Sequence, residues 1–238
     1  MNLDIILAYT TRDDYQLEQL IRLVLQRNKD VFSEELFKAY QQVGIFHVKS
    51  IDHFEQVLVE MGTHPEELGL VPSKVLDGGY FIPCLDHLGE FLYFINYSWE
   101  RGPKHKYYIV YPSTEYRKNL TQIKVMGLED TKQALEEGIL YVTEGTFDRL
   151  RLKAYGLPVV STLGTKFTNY FERYAQRFNQ VIYIGDRDDA GTRAYLNARE
   201  RNVRMLKQLV PKGKDVDEFA SNYPEEFQEW LDVLTQKA

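Results

Sequence analysis

Six carboxylates stand at spacings that could gather them around one ligand. Glu144 follows the apolar run Ile139 to Thr143 and precedes Gly145; Asp186 and Asp188 follow Gln180 to Ile184. Asp215 and Asp217 come after Val203 to Val210 through the turn Pro211-Lys212-Gly213-Lys214. Asp148, four residues past Glu144, falls on the first turn of a helix that starts near Thr146. If the three runs are parallel strands, ligands bind outside their carboxyl ends, and all the acids meet there. Such a group repels itself: two unit charges about 4 Å apart cost roughly 1 kcal/mol in water and about 4 kcal/mol at an effective dielectric of about 20. Relief comes either from raised pKa values or from a hard divalent cation with oxygen ligands, Mg²⁺ or Mn²⁺. Each pair also has a plainer reading, with Glu-Gly as a surface acid, Asp-x-Asp as a turn, and Asp215 with Asp217 as caps of a short helix near Glu218. Recurrence at three successive strand ends favours a site.

The elements that must position these acids are legible as alternating runs. Strands are predicted at Ile139 to Thr143, Pro158 to Ser161, Gln180 to Ile184 and Val203 to Val210. Helices are predicted between them at Thr146 to Tyr155, Phe167 to Phe178 and Ala190 to Arg201, and a last helix at Glu225 to Thr235. Asp130 reads as a helix cap, and Gly138 and Gly156 as helix stops. Strands separated by such helices imply right-handed crossovers and a mainly parallel α/β sheet. The chain before Asp130 differs in texture. Leu17, Leu20, Ile21, Val24 and Leu25 fall on one helical face between Asp14 and Lys29, and Asp52 with Glu55 resembles a capping box opening a helix through Met61. Tyr80 to Leu85, Phe91 to Tyr97 and Tyr107 to Tyr111 read as a small antiparallel sheet with a hairpin turn at Asp86 to Gly89. The expected division is therefore a mixed helical and antiparallel-β subdomain over residues 1–129 and a parallel-sheet domain over 130–238.

Bulk properties narrow the classes. The 238 residues are 44% hydrophobic and 27% charged, an ordinary globular composition. No run of about 18 apolar residues appears and Met1 to Arg12 lacks a signal-peptide pattern, so the chain reads as cytoplasmic with no membrane partner. The single Cys84 excludes an intrachain disulfide and a multi-cysteine zinc site, and His47, His53, His64, His87 and His105 show no metal spacing. A net charge of -6 argues against coating duplex DNA by charge alone. Local basic tracks remain, with Arg101, Lys104, His105 and Lys106, then Arg117 and Lys118, then Arg199 through Lys214; each is a nucleic-acid footprint or, more commonly, a solvated face. The aromatics Tyr80, Phe81, Tyr93, Phe94, Tyr107 and Tyr108 read as core or cross-strand pairs rather than base-stacking platforms.

The order of the acidic motifs resembles the Toprim domain. Tyr141 to Leu150 (YVTEGTFDRL) is similar to the primase segment EGYMD, Val160 to Thr165 to ATLGT, Asp186 to Gly191 to DGDxAG, and Lys212 to Glu218 to GKDPDE. Upstream, Phe81-Ile82-Pro83 with Asp86 and Gly89, then Pro103 to Tyr107, then Pro112 to Lys118 followed by Met126-Gly127-Leu128, resemble segments of DnaG-type bacterial and phage DNA primases that Toprim topoisomerases and nucleases lack. The likeness covers roughly Ser33 to Phe219. It departs at Arg187, where the family has glycine, and in arginines expected near Gly79 and Tyr97.

The resemblance implies a primase catalytic core, a DNA-directed RNA polymerase that makes short primers on a single-stranded DNA template from nucleoside triphosphates, with a groove between its two subdomains. Glu144, Asp186 and Asp188 would then be catalytic and hold one Mg²⁺ or Mn²⁺. Asp148, Asp215 and Asp217 would hold further ions, no zinc being involved. Arg101, Lys104, Lys106 and Lys118 would hold template or triphosphate oxygens. A replicative helicase or a separate zinc-domain protein would be the partners. The alternatives are a Toprim metallonuclease and a non-catalytic nucleic-acid or replication-partner module on the same fold.

Overall fold

The computed structural model describes residues 14–26, 33–60, 62, 64, 77–102, 106–110, 123–200 and 205–236. Two amphipathic helices come first, each burying the i, i+3, i+4, i+7 stripe that a 3.6-residue period lines up. Helix α1 (Asp14–Gln26) buries Leu17, Leu20, Ile21 and Val24, and α2 (Glu34–Val43) buries Leu36, Ala39, Tyr40 and Val43. By internal contacts the chain forms two compact units, one of residues 1–21 and 37–121, the other of 22–36 and 122–238.

In the first unit β1 (Phe46–Val48), β2 (Gly79–Leu85), β3 (Phe91–Tyr97) and β4 (Tyr107–Val110) make an antiparallel sheet in that order. The β2–β3 turn closes because the Asp86 carboxylate accepts from the backbone N–H groups of Leu88 and Glu90 at 2.8 and 2.9 Å, an Asx turn. Phe46, Phe81 and Phe94 meet on one face with Phe54 of α3 (Ile51–Glu60), and Phe46 stacks on Phe81 at 5.4 Å between centroids. Phe81, Phe94, Tyr80 and Tyr93 are buried core as expected, whereas Tyr107 is exposed and packs beside Tyr97. The expected capping box is corrected: α3 begins at Ile51, whose N–H donates to Asp77 at 2.7 Å, so Asp52 and Glu55 lie inside the helix. Burial, then the Asp52 charge, raises the Glu55 pKa.

The second unit has the parallel sheet. Strands β5 (Ile139–Thr143), β6 (Val159–Ser161), β7 (Gln180–Gly185) and β8 (Met205–Leu209) lie in the order β6-β5-β7-β8, all pairs parallel. After a 3-10 turn (Leu128–Asp130), α4 (Thr131–Glu137) leads into β5. The crossovers are α5 (Thr146–Ala154), α6 (Asn169–Ala175) and α7 (Asp189–Glu200), and α8 (Val216–Asn222) and α9 (Pro224–Gln236) follow β8. Ile139, Tyr141, Ile182 and Ile184 present one sheet face to Phe219, Phe227 and Trp230 in a single core.

Two local expectations are corrected here. Helix α6 is shorter than Phe167 to Phe178 because Thr168 sits in extended backbone and its hydroxyl accepts from Phe171 N–H at 3.2 Å, a helix start. Asp130 occupies the cap position of α4 without capping. Its carboxylate accepts from Arg149 and Lys153, both at 2.6 Å. Arg149 is fully buried and also bonds Glu129 at 2.8 Å and the Val159 carbonyl at 3.1 Å. Gly127, at φ 96°, leaves the room this guanidinium needs: a Cβ there would stand 2.1 Å from Arg149 Nε. Burial raises the Glu129 pKa in spite of Arg149. Removing one member of a buried ion pair leaves the other charge unsolvated. Arg149→Met is therefore expected to lower the unfolding free energy by about 3 kcal/mol, measured by urea denaturation, without changing the slope of the transition.

Candidate functional site

Glu144 and Asp186 are the residues immediately after β5 and β7, and Asp215 follows β8 through the turn 210–214. Asp148 lies on the first turn of α5, and Asp217 is the second residue of α8. Their electrostatics link all the acids named from the sequence. Asp148 is buried, and its pKa is held well above the ordinary value by burial, then by Asp215, Asp186 and Asp217; the Asp217 N–H acts in the opposite sense. Asp186 is pushed up to about 6 by burial, then by Glu144 and Asp215, with Lys214 opposing and Asp188 adding to the rise.

Each carboxylate also has a local partner. Glu144, 9% exposed, accepts from the Tyr183 hydroxyl and from Asp186 N–H at 3.3 Å. Tyr183 projects from β7 opposite Val142, and burial followed by its bond to Glu144 raises its pKa. The Glu144 carbonyl accepts from Ser161 Oγ and Gly164 N, both at 3.0 Å, so the loop after β6 braces the backbone that aims this acid. Asp188 accepts from Gly191 N at 2.8 Å and opens α7, while Asp215 accepts from Glu218 N at 2.8 Å and caps α8. The capping role read for Asp215 from sequence is therefore real, and one of its oxygens is engaged by it. Asp217 does not cap; its Oδ1 lies 2.9 Å from Nε and from Nη2 of the buried Arg151. Lys214 approaches Asp186 at 3.6 Å with its side chain 60% exposed, a weak, screened pair.

Both motif glycines keep space for carboxylates. A Cβ on Gly145 would lie 2.3 Å from an Asp148 oxygen, and one on Gly191 would lie 2.6 Å from Glu144 Oε1 and 2.8 Å from the Asp186 carbonyl. Arg187, at the position where the resembling family has glycine, keeps its backbone out of the left-handed region. Its N–H donates to the Lys214 carbonyl at 2.8 Å and its guanidinium to the Pro211 carbonyl at 2.9 Å, tying the 186–188 loop to the 211–214 turn. The acidic motifs of the sequence do not single out Tyr183 or Arg151. Arg151 could have been found as a cation three residues past Asp148 on the same helical face.

An all-oxygen donor set of this kind suits a hard divalent ion. Among the described residues no three His, Cys, Asp or Glu side chains form a ready-made metal group.

Of the basic residues expected to hold template or triphosphate, Arg101 and Lys106 are among the described residues of the first unit. Arg101 bonds Asn96 and lies over the Tyr108 ring at 4.9 Å, and burial lowers its pKa. Lys106 is partly buried just before β4. Lys104 and Lys118 lie outside the described residues, and no described helix is long and apolar enough to cross a membrane.

A Toprim-like family model matches residues 141–220, the segment that holds every one of these acids. The structure is similar to that of the Aquifex aeolicus primase zinc-binding and RNA polymerase domains, with a TM-score of 0.76 and 23% identity, covering 98% of this chain and 59% of that one. It is also similar to the RNA polymerase domain of Mycobacterium tuberculosis primase DnaG, at a TM-score of 0.73 and 17% identity over 96% of this chain and 82% of that one. A DnaG primase catalytic domain bound to single-stranded DNA matches at a TM-score of 0.64 and 20% identity, over 96% and 80% of the two chains. No curated protein matches by sequence. The chain thus has the fold of primase catalytic cores and spans less than two thirds of the Aquifex chain.

Two measurements check this geometry. Because the folded protein raises the Asp186 pKa from 3.8 to about 6, the protonated acid is favoured on folding; its stability contribution is complete below the unfolded pKa and is lost as pH rises through about 6. In EDTA, the Tm is expected to fall between pH 5 and pH 7.5, and Asp186→Asn to recover about 2–4 °C of that fall, the shift made by about 1 kcal/mol in a chain of this size. Gly191→Ala, which forces Glu144 and the Asp186 backbone apart, is expected to destabilise by about 1–3 kcal/mol in urea.

Proposed function

We propose that this chain, which carries a Toprim-like domain on the fold of DnaG primase catalytic cores, is a primase-type nucleotidyltransferase making short primers on single-stranded DNA. The observation that carries the reading is the convergence of acids at successive strand ends of one parallel sheet, where burial, then their mutual repulsion, raises the pKa values of Asp148 and Asp186. Joining nucleotides requires a 3′-hydroxyl to attack an α-phosphate while pyrophosphate leaves, and positioning with charge neutralisation supplies most of that catalysis. A bound Mg²⁺ or Mn²⁺ would neutralise phosphate oxygens at this mouth.

In this reading Glu144, Asp186 and Asp188 would hold one ion, and Asp148, Asp215 and Asp217 would hold further ions once the triphosphate is bound, together neutralising phosphate oxygens. Tyr183 fixes the orientation of Glu144 through its hydroxyl. Lys214, exposed beside Asp186, is placed to meet an incoming phosphate. Lys104, Lys106 and Lys118 are the proposed contacts to template or triphosphate. Arg101 belongs to the same basic stretch, though its guanidinium is partly committed to Asn96 and Tyr108. The template is single-stranded DNA and the substrates nucleoside triphosphates, with a helicase or a separate zinc-domain protein as partners and the cytoplasm as the compartment.

A non-catalytic nucleic-acid module is the second reading, favoured by the engagement of Asp217 with Arg151 and by Arg187 in place of glycine. Incubation of the protein with single-stranded DNA, labelled nucleoside triphosphates and Mg²⁺ or Mn²⁺ separates the two. Short labelled products are expected, reduced in Glu144→Gln and in Asp186→Asn by at least about 100-fold, the upper range already seen on losing outer-shell partners of metal ligands. Binding of the DNA with no product under either metal would support the second reading, and template cleavage without triphosphates would identify a nuclease.

A further inference from the structure

The acids of the mouth are not neutralised evenly. On the side of Glu144, Asp186 and Asp188, the nearest basic side chain recorded is Lys214, 3.6 Å from Asp186 and mostly in water. On the side of α5 and α8, Arg151 is 3% exposed and sits among the acids themselves. Its Nε and Nη2 both lie 2.9 Å from Asp217 Oδ1, and Nη2 also donates to Ser221 Oγ at 3.0 Å. Asp217 in turn donates its N–H to Asp148 at 3.1 Å. One guanidinium thus fixes Asp217 from the helix that carries Asp148, and the Asp217 backbone ties the two acids together.

We propose that Arg151 serves as a built-in countercharge in place of a divalent cation on the α5–α8 side, so that the nucleotide-free protein binds one divalent ion, on Glu144, Asp186 and Asp188, rather than two. This rests on the reading of those three acids as metal ligands. An ion seated against Asp217 would stand beside the buried guanidinium that already pairs with Asp217 Oδ1, setting a double positive charge against a fixed single one. Their repulsion is twice that of a unit pair at the same distance. On the Glu144 side the cation is Lys214, mostly in water, where its charge is screened. The side chain that makes the difference is Arg151.

The test is a titration with Mn²⁺ alone, read by the loss of the free-ion electron paramagnetic resonance signal at pH 7.5. One strong ion per chain is expected for the wild type, none for Glu144→Gln, two for Arg151→Met and one for Arg151→Lys, which keeps the charge. Asp217→Asn is expected to retain the single ion with affinity changed less than about twofold, since that ion is seated on Glu144, Asp186 and Asp188; this decides the matter if Arg151→Met does not fold by circular dichroism. Two strong ions on the wild type, or loss of its ion in Asp217→Asn, overturns the inference and leaves the metal-site reading standing. No strong ion on the wild type overturns that reading and the inference with it.

Discussion

Negative charge gathered at the carboxyl ends of β5 and β7 sets what the surrounding residues must do. The chain counters the resulting repulsion with groups that are local and fixed. The amino end of α7, where Asp188 sits, and that of α8, which Asp215 caps, place partial positive charge next to the acids. The Tyr183 hydroxyl holds Glu144, Arg151 holds Asp217, and Lys214 stands at the rim. Asp148 and Asp186 keep raised pKa values, from burial first and then from the neighbouring acids. An apolar sheet face filled with Phe219, Phe227 and Trp230 keeps the strand ends in place under this load.

Several motif positions that look chemical turn out to be steric. Gly145 and Gly191 contribute the volume of a missing methyl group, which leaves Asp148 and Glu144 where they are. Arg187 shows the converse. Without a left-handed backbone to satisfy, the position accepts a long side chain, and this chain uses it to join the two loops that carry Asp186 and Asp215. The departure from the family's glycine is thus absorbed by new hydrogen bonds.

Strands β5 and β7 were legible because β-branched and aromatic runs end abruptly in an acid or glycine, and the acids followed from the rule that ligands bind at the carboxyl ends of parallel strands. The antiparallel hairpin was legible from Asp86 and Gly89 between two aromatic runs. Cap positions were harder to read. Asp130 has the composition of a cap, yet tertiary contact with Arg149 and Lys153 takes its oxygens. Thr168, which does cap, was read as helix interior because Phe167 before it continues the apolar pattern. The partners of the acids were illegible for a related reason. Arg149, Arg151 and Lys153 alternate along α5 like solvated charges, and only the arrival of α8 some 60 residues later turns Arg151 inward. Tyr183 looks like any strand aromatic until register sets it beside the end of β5.

The order β6-β5-β7-β8 also divides the mouth between central strands and an edge. Strands β5 and β7 are hydrogen-bonded on both sides, so the backbone leading to Glu144 and Asp186 is held by two neighbours. Strand β8 is an edge, and Asp215 and Asp217 follow it through a turn tied back by Arg187 and Lys214. Half of the mouth is thus framed by two central strands, and the other half by a turn after an edge strand, which side-chain and loop hydrogen bonds hold in place of a second strand neighbour.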